Sequence, residues 1–168
     1  ASLDPLPVPG RDSDEVTQLA LAIYPMNLMQ QPYRAAMVGL GSGMTANTML
    51  GDPMLEHLDV IEIEPVMYEM AKGFLPFNER VYKSPKVKMV FDDAKSYFFS
   101  QQKPYDLIVS EPSNPWVSGV SSLFSEEFYA YVRRFLTPKG VLVQWMHTYE
   151  FEDELLLSIL AALDKNFK

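Results

Sequence analysis

Short apolar runs alternate with amphipathic segments along most of this 168-residue chain, and this alternation limits the folds that the chain can adopt. The apolar runs are Ala35–Leu40, Val60–Ile63, Val87–Phe91, Leu107–Ser110 and Val141–Trp145. Helix-like segments lie near 44–50, 65–74, 93–101, 124–136 and 151–164. Continuous apolar strands that alternate with helices are typical of a parallel sheet covered on both faces. The sequence therefore predicts a doubly wound, mostly parallel α/β fold.

The chain length and its two ends set the expected domain boundaries. Residues 1–11, which include three prolines, predict an extended lead-in. Residues 12–168 suffice for one domain with a single hydrophobic core. A first helix is predicted from Asp14 to about Tyr24, because apolar residues recur at helical spacing until Pro25. The chain begins without methionine and stops just after a helical pattern, so we interpret it as a fragment truncated at its C-terminal end.

Composition excludes several kinds of site. The chain has no cysteine, which rules out disulfides, thiolate nucleophiles and cysteine-based metal sites. Two histidines, His57 and His147, are too few for a histidine-rich metal site, so we expect no metal; His57 should lie at the surface. A net charge of -8 argues against a nucleic-acid partner. No apolar run approaches the roughly 20 residues that span a bilayer, so we expect no direct membrane insertion.

A glycine-rich turn follows the first apolar run. Glycine allows the backbone to approach a ligand where a side chain would block it, which suits a nucleotide or nucleoside. The dinucleotide fingerprint requires a third glycine where this chain has Met44, so the spacing favours an S-adenosyl cofactor over NAD. We predict cofactor contacts from Gly39, Gly41, Ser42 and Gly43. The alternative is that these glycines serve only tight packing of the strand against the helix.

Carboxylates follow the second run. Glu62 stands about 20 residues after the turn, where this class of fold places an acceptor for the two ribose hydroxyls. We predict that Glu62 and Ile63 contact the cofactor. Glu64 lies on the same side of the strand as Glu62, and it is either a second partner or the cap of the helix that begins at Pro65.

Two further carboxylates follow the third run. Asp92, Asp93 and Ala94 arrive at the carboxyl edge of the sheet, where open α/β sheets bind ligands. An acceptor there can bind an exocyclic adenine amine, so all three are predicted cofactor residues. One of the two aspartates could also be the N-cap of the next helix.

The turn after the fourth run reads Glu-Pro-Ser-Asn-Pro-Trp from Glu111. A carboxylate and an amide held by two prolines form a rigid polar cluster at the end of a strand. Displacement at a sulfonium by an amine requires the amine to be unprotonated, and a nearby carboxylate can accept its proton. Glu111 is therefore the predicted catalytic residue. Asn114, Trp116 and Gln144 are predicted substrate-binding residues, with core packing as an alternative for the indole.

These motifs together resemble the polyamine aminopropyltransferases, that is, spermidine synthase and its relatives. The resemblance covers residues 12–164 and includes Glu-Ile-Glu at 62–64, Asp-Asp-Ala at 92–94, Tyr-Asp-Leu-Ile-Val at 105–109 and Gly-Val-Leu-Val-Gln at 140–144. It implies a Rossmann-like class I methyltransferase topology. It also implies that Glu62 binds the ribose, that Asp93 binds the adenine amine and that Glu111 is the catalytic acidic residue.

The chain departs from this family at two acidic positions. Ser42 stands where family enzymes carry an acid within the glycine turn, and Asn114 stands in place of a second acid in the catalytic cluster. The Glu-Pro-Ser-Asn-Pro-Trp form resembles a bacterial variant that is often fused to membrane segments. It implies a cytoplasmic location, as the soluble domain of a membrane-anchored protein. We consider a homodimer as its assembly.

Three functions follow from this reading. The first is transfer of an aminopropyl group from decarboxylated S-adenosylmethionine to a small-molecule amine, with methylthioadenosine as product. The second is methyl transfer from S-adenosylmethionine, with S-adenosylhomocysteine as product. The third is a degenerate nucleoside-binding domain without turnover.

Overall fold

The computed structural model describes residues 11–112, 120–146 and 153–167. Its sheet strands are β1 (Tyr33–Val38), β2 (Leu55–Glu62), β3 (Val87–Phe91), β4 (Tyr105–Ser110) and β5 (Leu136–Gln144). They lie in the order β3-β2-β1-β4-β5, and every neighbouring pair is parallel. The chain therefore reverses its direction of travel across the sheet between β1 and β4. In doubly wound sheets ligands bind at this point, outside the carboxyl ends of the strands.

Helices and short 3₁₀ turns connect the strands. The α-helices are α1 (Arg11–Met26), α2 (Met44–Met49), α3 (Pro65–Met70), α4 (Arg80–Lys83), α5 (Ala94–Phe99), α6 (Glu126–Val132) and α7 (Asp153–Asn166). The 3₁₀ turns are Ala71–Phe74, Val120–Phe124 and Arg133–Phe135. None of the helices in the described ranges is both long and apolar enough to cross a membrane.

Alternate residues of the central strand pack into separate cores on the two faces of the sheet. Ala35 and Met37 belong to the core under α1 and α2, whereas Ala36 and Val38 belong to the core under α5 and α6. This is the alternation expected of a strand covered on both sides. The predicted doubly wound, Rossmann-like α/β fold is confirmed.

The boundaries of several elements differ from the prediction. β1 and β4 each begin two residues earlier, at Tyr33 and Tyr105, and β5 begins five residues earlier, at Leu136. β2 begins at Leu55 rather than at Val60, because Leu55 already pairs with Tyr33 of β1. Leu55 and Leu58 are buried, whereas Glu56 between them is exposed. This half of the strand is amphipathic and interrupts the continuous apolar pattern. α1 continues to Met26 with Pro25 inside it. Proline has no amide hydrogen to donate, but its carbonyl still accepts a hydrogen bond, here from the amide of Leu28 at 3.0 Å.

A buried carboxylate in the middle of β2 binds several partners. Asp59 is 1% exposed; its Oδ2 accepts a hydrogen bond from the Tyr105 hydroxyl at 2.6 Å, and its Oδ1 contacts Nε2 of His57 at 2.9 Å. The Arg34 guanidinium lies 4.0 Å from Oδ2. His57, which was expected at the surface, lies within β2 and is partly exposed, with its ring beside Asp59.

Candidate functional site

The glycine turn between β1 and α2 has a backbone that only glycine adopts readily. Gly39, Gly41 and Gly43 have φ angles of +90°, +52° and +79°. A Cβ placed on Gly39 would lie 2.3 Å from the backbone oxygen of Glu111. The turn and the start of the Glu111 segment are therefore in direct backbone contact, so Gly39 is required for this close approach whether or not it also contacts a cofactor.

We expect Gly39→Ala to lower the free energy of unfolding by about 3 kcal/mol or more, because it combines backbone strain with a backbone clash. Gly41→Ala is the matched control, since nothing lies within 4 Å of a Cβ there and only the φ of +52° is strained. It should cost about 1–2 kcal/mol. Urea denaturation of both variants checks this, and equal losses would show that the contact with Glu111 is unimportant.

Glu62 is fixed against the glycine turn. It is 8% exposed; Oε2 accepts a hydrogen bond from the Leu40 amide at 2.9 Å, and Oε1 accepts one from the Glu64 amide at 3.0 Å. Each carboxylate oxygen has a second lone pair, so both can still accept a ribose hydroxyl. Ile63 is 63% exposed beside it. Glu64 occupies the N-cap position of α3 without a side-chain capping bond.

The aspartates after β3 have different roles. Asp93 is the N-cap of α5, where its Oδ1 accepts the Ser96 amide at 3.0 Å. Asp92 accepts the Asp93 amide at 2.8 Å. Both side chains are exposed and retain oxygen atoms for a ligand, whereas the Ala94 side chain is buried in the core, so only its backbone could contact a cofactor.

Glu111 is a half-buried acid next to the turn, with one carboxyl oxygen fully buried. Its Oε2 is buried and has no hydrogen-bond partner, and its amide is held by the Val38 carbonyl at 2.9 Å. Burial raises the pKa of Glu111 to about 7, with an opposing, smaller effect from a hydrogen bond with Thr45. A carboxyl group that titrates near neutral pH can either accept or donate a proton under physiological conditions.

Gln144 lies beside Ser110 at the ends of the adjacent strands β5 and β4. Its Nε2 donates to the Trp145 carbonyl at 3.1 Å, while its Oε1 is buried without a partner. The Ser110 hydroxyl is likewise buried without a partner. The predicted residues Asn114 and Trp116 lie outside the described residues, as does His147.

The order of the strands brings the predicted residues to one edge. Asp93, Glu62, the glycine turn and Glu111 follow β3, β2, β1 and β4, which are neighbours in that order. With strands about 4.8 Å apart, β3 and β1 are separated by roughly 10 Å, a distance that an adenosine can bridge. The described residues contain no group of three or more His, Asp or Glu side chains that could hold a metal ion.

Three residues at this edge were not predicted. Gln18 of α1 accepts a hydrogen bond from the Ser42 hydroxyl at 2.9 Å through Oε1. Asn78, which is fully buried, donates to the Ser42 carbonyl at 2.8 Å. Thr45 donates to the Gln18 carbonyl at 3.2 Å. The sequence signal that could have identified such residues is a polar residue on the buried face of a helix, such as Thr45 after the turn.

The relatives found by comparison with known proteins include polyamine aminopropyltransferases and putrescine N-methyltransferases. The polyamine aminopropyltransferase of Alkaliphilus metalliredigens is 28% identical over 71% of this chain and 42% of its own length. Putrescine N-methyltransferase 2 of Nicotiana tabacum is 26% identical over 86% of this chain and 41% of its own. A spermidine synthase solved in complex with the transition state analogue AdoDATO superposes with a TM-score of 0.83 at 21% identity, covering 92% of this chain and 53% of that one.

The chain thus spans about half the length, or less, of these proteins. The family model described as spermine/spermidine synthase domain matches residues 15–168, which is nearly all of the chain. The chain belongs to the spermine/spermidine synthase family.

Proposed function

We propose that this domain binds a decarboxylated S-adenosylmethionine and transfers its aminopropyl group to a small-molecule amine. The observation that carries the proposal is Glu111, a carboxyl with an unpartnered buried oxygen and a pKa raised to about 7, in backbone contact with the glycine turn. Membership in a family that includes polyamine aminopropyltransferases supports it.

The side chains at this edge fit the adenosine part of such a cofactor. Glu62 offers two oxygens to the ribose hydroxyls, Asp93 offers its free oxygen to the adenine amine, and the glycine turn admits the sulfonium tail. When bound, the cofactor supplies an electrophilic carbon attached to a positively charged sulfur.

Glu111 prepares the acceptor. As a carboxylate it binds the acceptor ammonium and takes one proton, which leaves a nitrogen lone pair free to attack. The new C–N bond forms as the C–S bond breaks, and the electron pair of that bond remains on sulfur as a neutral thioether. The proton on Glu111 then passes to solvent.

Methyl transfer from S-adenosylmethionine is the second candidate, and one feature favours it. Ser42 is neutral, and its hydroxyl is engaged with the neutral Gln18 side chain, so the turn offers no acid to the amino group of a decarboxylated cofactor. Putrescine N-methyltransferases among the relatives point the same way.

Calorimetric titration with decarboxylated S-adenosylmethionine and with S-adenosylmethionine separates the two candidates. We expect the decarboxylated cofactor to bind at least tenfold more tightly, because carboxylates at Glu62, Asp92, Asp93 and Glu111 repel the carboxylate of S-adenosylmethionine by roughly 1.4 kcal/mol or more. The reverse preference would favour methyl transfer instead. If neither compound binds, the domain is a degenerate one without turnover.

Ser42→Asp sharpens this comparison. An added carboxylate in the turn should increase the preference for the decarboxylated cofactor by about tenfold, since a charge-assisted hydrogen bond contributes roughly 1.5–3 kcal/mol. An unchanged preference would mean that the tail of the cofactor does not pass Ser42.

A further inference from the structure

Asn78 connects the glycine turn to the segment that follows β2. The side chain is fully buried, and its Nδ2 atom donates to the Ser42 carbonyl at 2.8 Å and to the Ala71 carbonyl at 2.6 Å. Ser42 lies in the turn, and Ala71 comes directly after α3, the helix that begins three residues after Glu62. One amide group therefore joins the turn, which is proposed to take the cofactor tail, to the segment that carries the ribose acceptor.

These contacts fix the orientation of the Asn78 amide. Its Nδ2 atom carries two hydrogens, and each is donated to one of the two carbonyl groups. The opposite orientation would place Oδ1 against two other acceptors. In the observed orientation Oδ1 is buried and has no hydrogen-bond partner, and an apolar side chain of the same shape would leave no such atom unpaired. An asparagine at this position is therefore explained by the two carbonyls that it holds rather than by packing.

The bond to Ser42 holds one peptide group of the turn from both sides. The carbonyl of this group accepts from Asn78, and its N–H group, which belongs to Gly43, donates to the Leu40 carbonyl at 2.9 Å. Gly43 has a φ of +79°, and a Cβ placed on it would lie 3.3 Å from Nδ2 of Asn78. Asn78 thus contacts the end of the turn, whereas Glu62 holds its beginning through the Leu40 amide.

We propose that Asn78 is a positioning residue that fixes the end of the glycine turn for the tail of the cofactor. It acts through the Ser42–Gly43 peptide group and does not itself touch the ligand. The inference rests on the proposed function only in assigning the turn to the tail of an S-adenosyl cofactor. Without the Asn78 side chain both carbonyls lose their donor and this peptide group can rotate, so the turn no longer holds one conformation.

The effect of losing this side chain should be local, because other bonds keep the surrounding elements in place. The Arg80 amide donates to Oδ1 of Asn47 in α2 at 3.0 Å, so the start of α4 stays attached to α2. The Gly39 amide donates to the Ile61 carbonyl at 2.8 Å, which fixes the first residue of the turn to β2. That amide is therefore an internal reference for the end of the turn.

Asn78→Leu removes both donors and keeps approximately the shape of the side chain. In amide hydrogen exchange of the full chain without ligand, followed by NMR, the protection of Gly43 should fall by about tenfold or more relative to that of Gly39. Asn166→Leu is the matched control, because Asn166 is a buried asparagine in α7 whose Nδ2 donates to the Ala162 carbonyl at 2.8 Å. It should leave this ratio unchanged. If Asn78→Leu does not fold, Asn78→Ala gives the same comparison.

Calorimetry measures the consequence for binding. In Asn78→Leu the dissociation constants of decarboxylated S-adenosylmethionine and of S-adenosylmethionine should rise about tenfold, whereas that of adenosine, which has no tail, should change less than about threefold. KM for the cofactor should rise accordingly, with kcat at saturating cofactor within about twofold of the original. The control Asn166→Leu should bind all three compounds as the original chain does.

An equal loss of protection at Gly39 and Gly43 would overturn the proposal, because it would show a general loss of stability. Unchanged cofactor affinity, or an equal loss of affinity for adenosine, would also overturn it. The exchange experiment needs neither ligand nor turnover. If the original chain binds neither cofactor, the proposed function fails, and a selective loss of protection at Gly43 would still show that Asn78 positions the turn.

Discussion

Replacement of Glu111 by glutamine is expected to lower the rate of transfer by about 10²–10⁴-fold, because an amide cannot accept the proton of the acceptor amine. Cofactor affinity should change less than threefold, since Glu62 and the glycine turn are untouched. Single-turnover kinetics give the rate, and calorimetry with the preferred cofactor gives the affinity. Transfer at the original rate would remove Glu111 from the catalytic role.

Glu64→Gln is the matched control for this variant. It makes the same chemical change at the same edge of the sheet, on an exposed side chain that makes no capping bond. Its rate should stay within about twofold of the original. A large loss there would mean that the general negative charge of the edge, rather than one buried carboxyl group, drives the reaction.

The pH dependence of stability provides a second readout on Glu111→Gln. Burial raises the pKa of Glu111 from 4.5 to about 7 in the folded chain, so its contribution to stability is fully present below pH 4.5 and is lost as pH rises through 7. The loss amounts to about 3 kcal/mol. Urea denaturation at pH 5 and pH 8.5 should show this decline in the original chain and not in the variant; a parallel decline would contradict the raised pKa.

Much of the fold could be predicted because both faces of the sheet are buried. Such strands are apolar throughout, as in Leu107–Ser110, and the pattern marks them without any knowledge of their partners. The early start of β2 could not be found in this way. Leu55 and Leu58 are buried, but polar residues separate them, and the pairing of this half with β1 shows that it is a strand.

The candidate site was predicted in part, for a related reason. Glu62, Asp93 and Glu111 each follow an apolar strand, and parallel strands end at one edge. The contacts of Gln18 and Thr45 depend on how α1 lies across α2, which the periodicity of either helix does not determine. The direction of the Ala94 side chain likewise depends on where α5 begins relative to the sheet.

Asp59→Ala is expected to have the largest effect on stability, a loss of about 3–5 kcal/mol, because removal of a buried carboxylate leaves its partners unsatisfied. Tyr105 donates to it at 2.6 Å and His57 contacts it at 2.9 Å. The Nε atom of Arg34 is already buried without a partner, so no alternative acceptor stands ready for the guanidinium. The melting temperature should fall by about 10 °C.

Glu56→Ala is the control, because Glu56 is an exposed carboxylate on the same strand, β2. Its effect should stay within about 0.5 kcal/mol. Asp59→Asn separates charge from hydrogen bonding. The amide oxygen of asparagine can still accept a hydrogen bond from Tyr105, whereas its amide nitrogen faces hydrogen-bond donors. The loss of stability in Asp59→Asn should therefore fall between those in Asp59→Ala and Glu56→Ala. Since the hydrogen-bond partners of Asp59, Tyr105 and His57, do not belong to the candidate site, cofactor affinity of the folded fraction should not change. A loss in Asp59→Ala no larger than in Glu56→Ala would show that this cluster contributes no net stability.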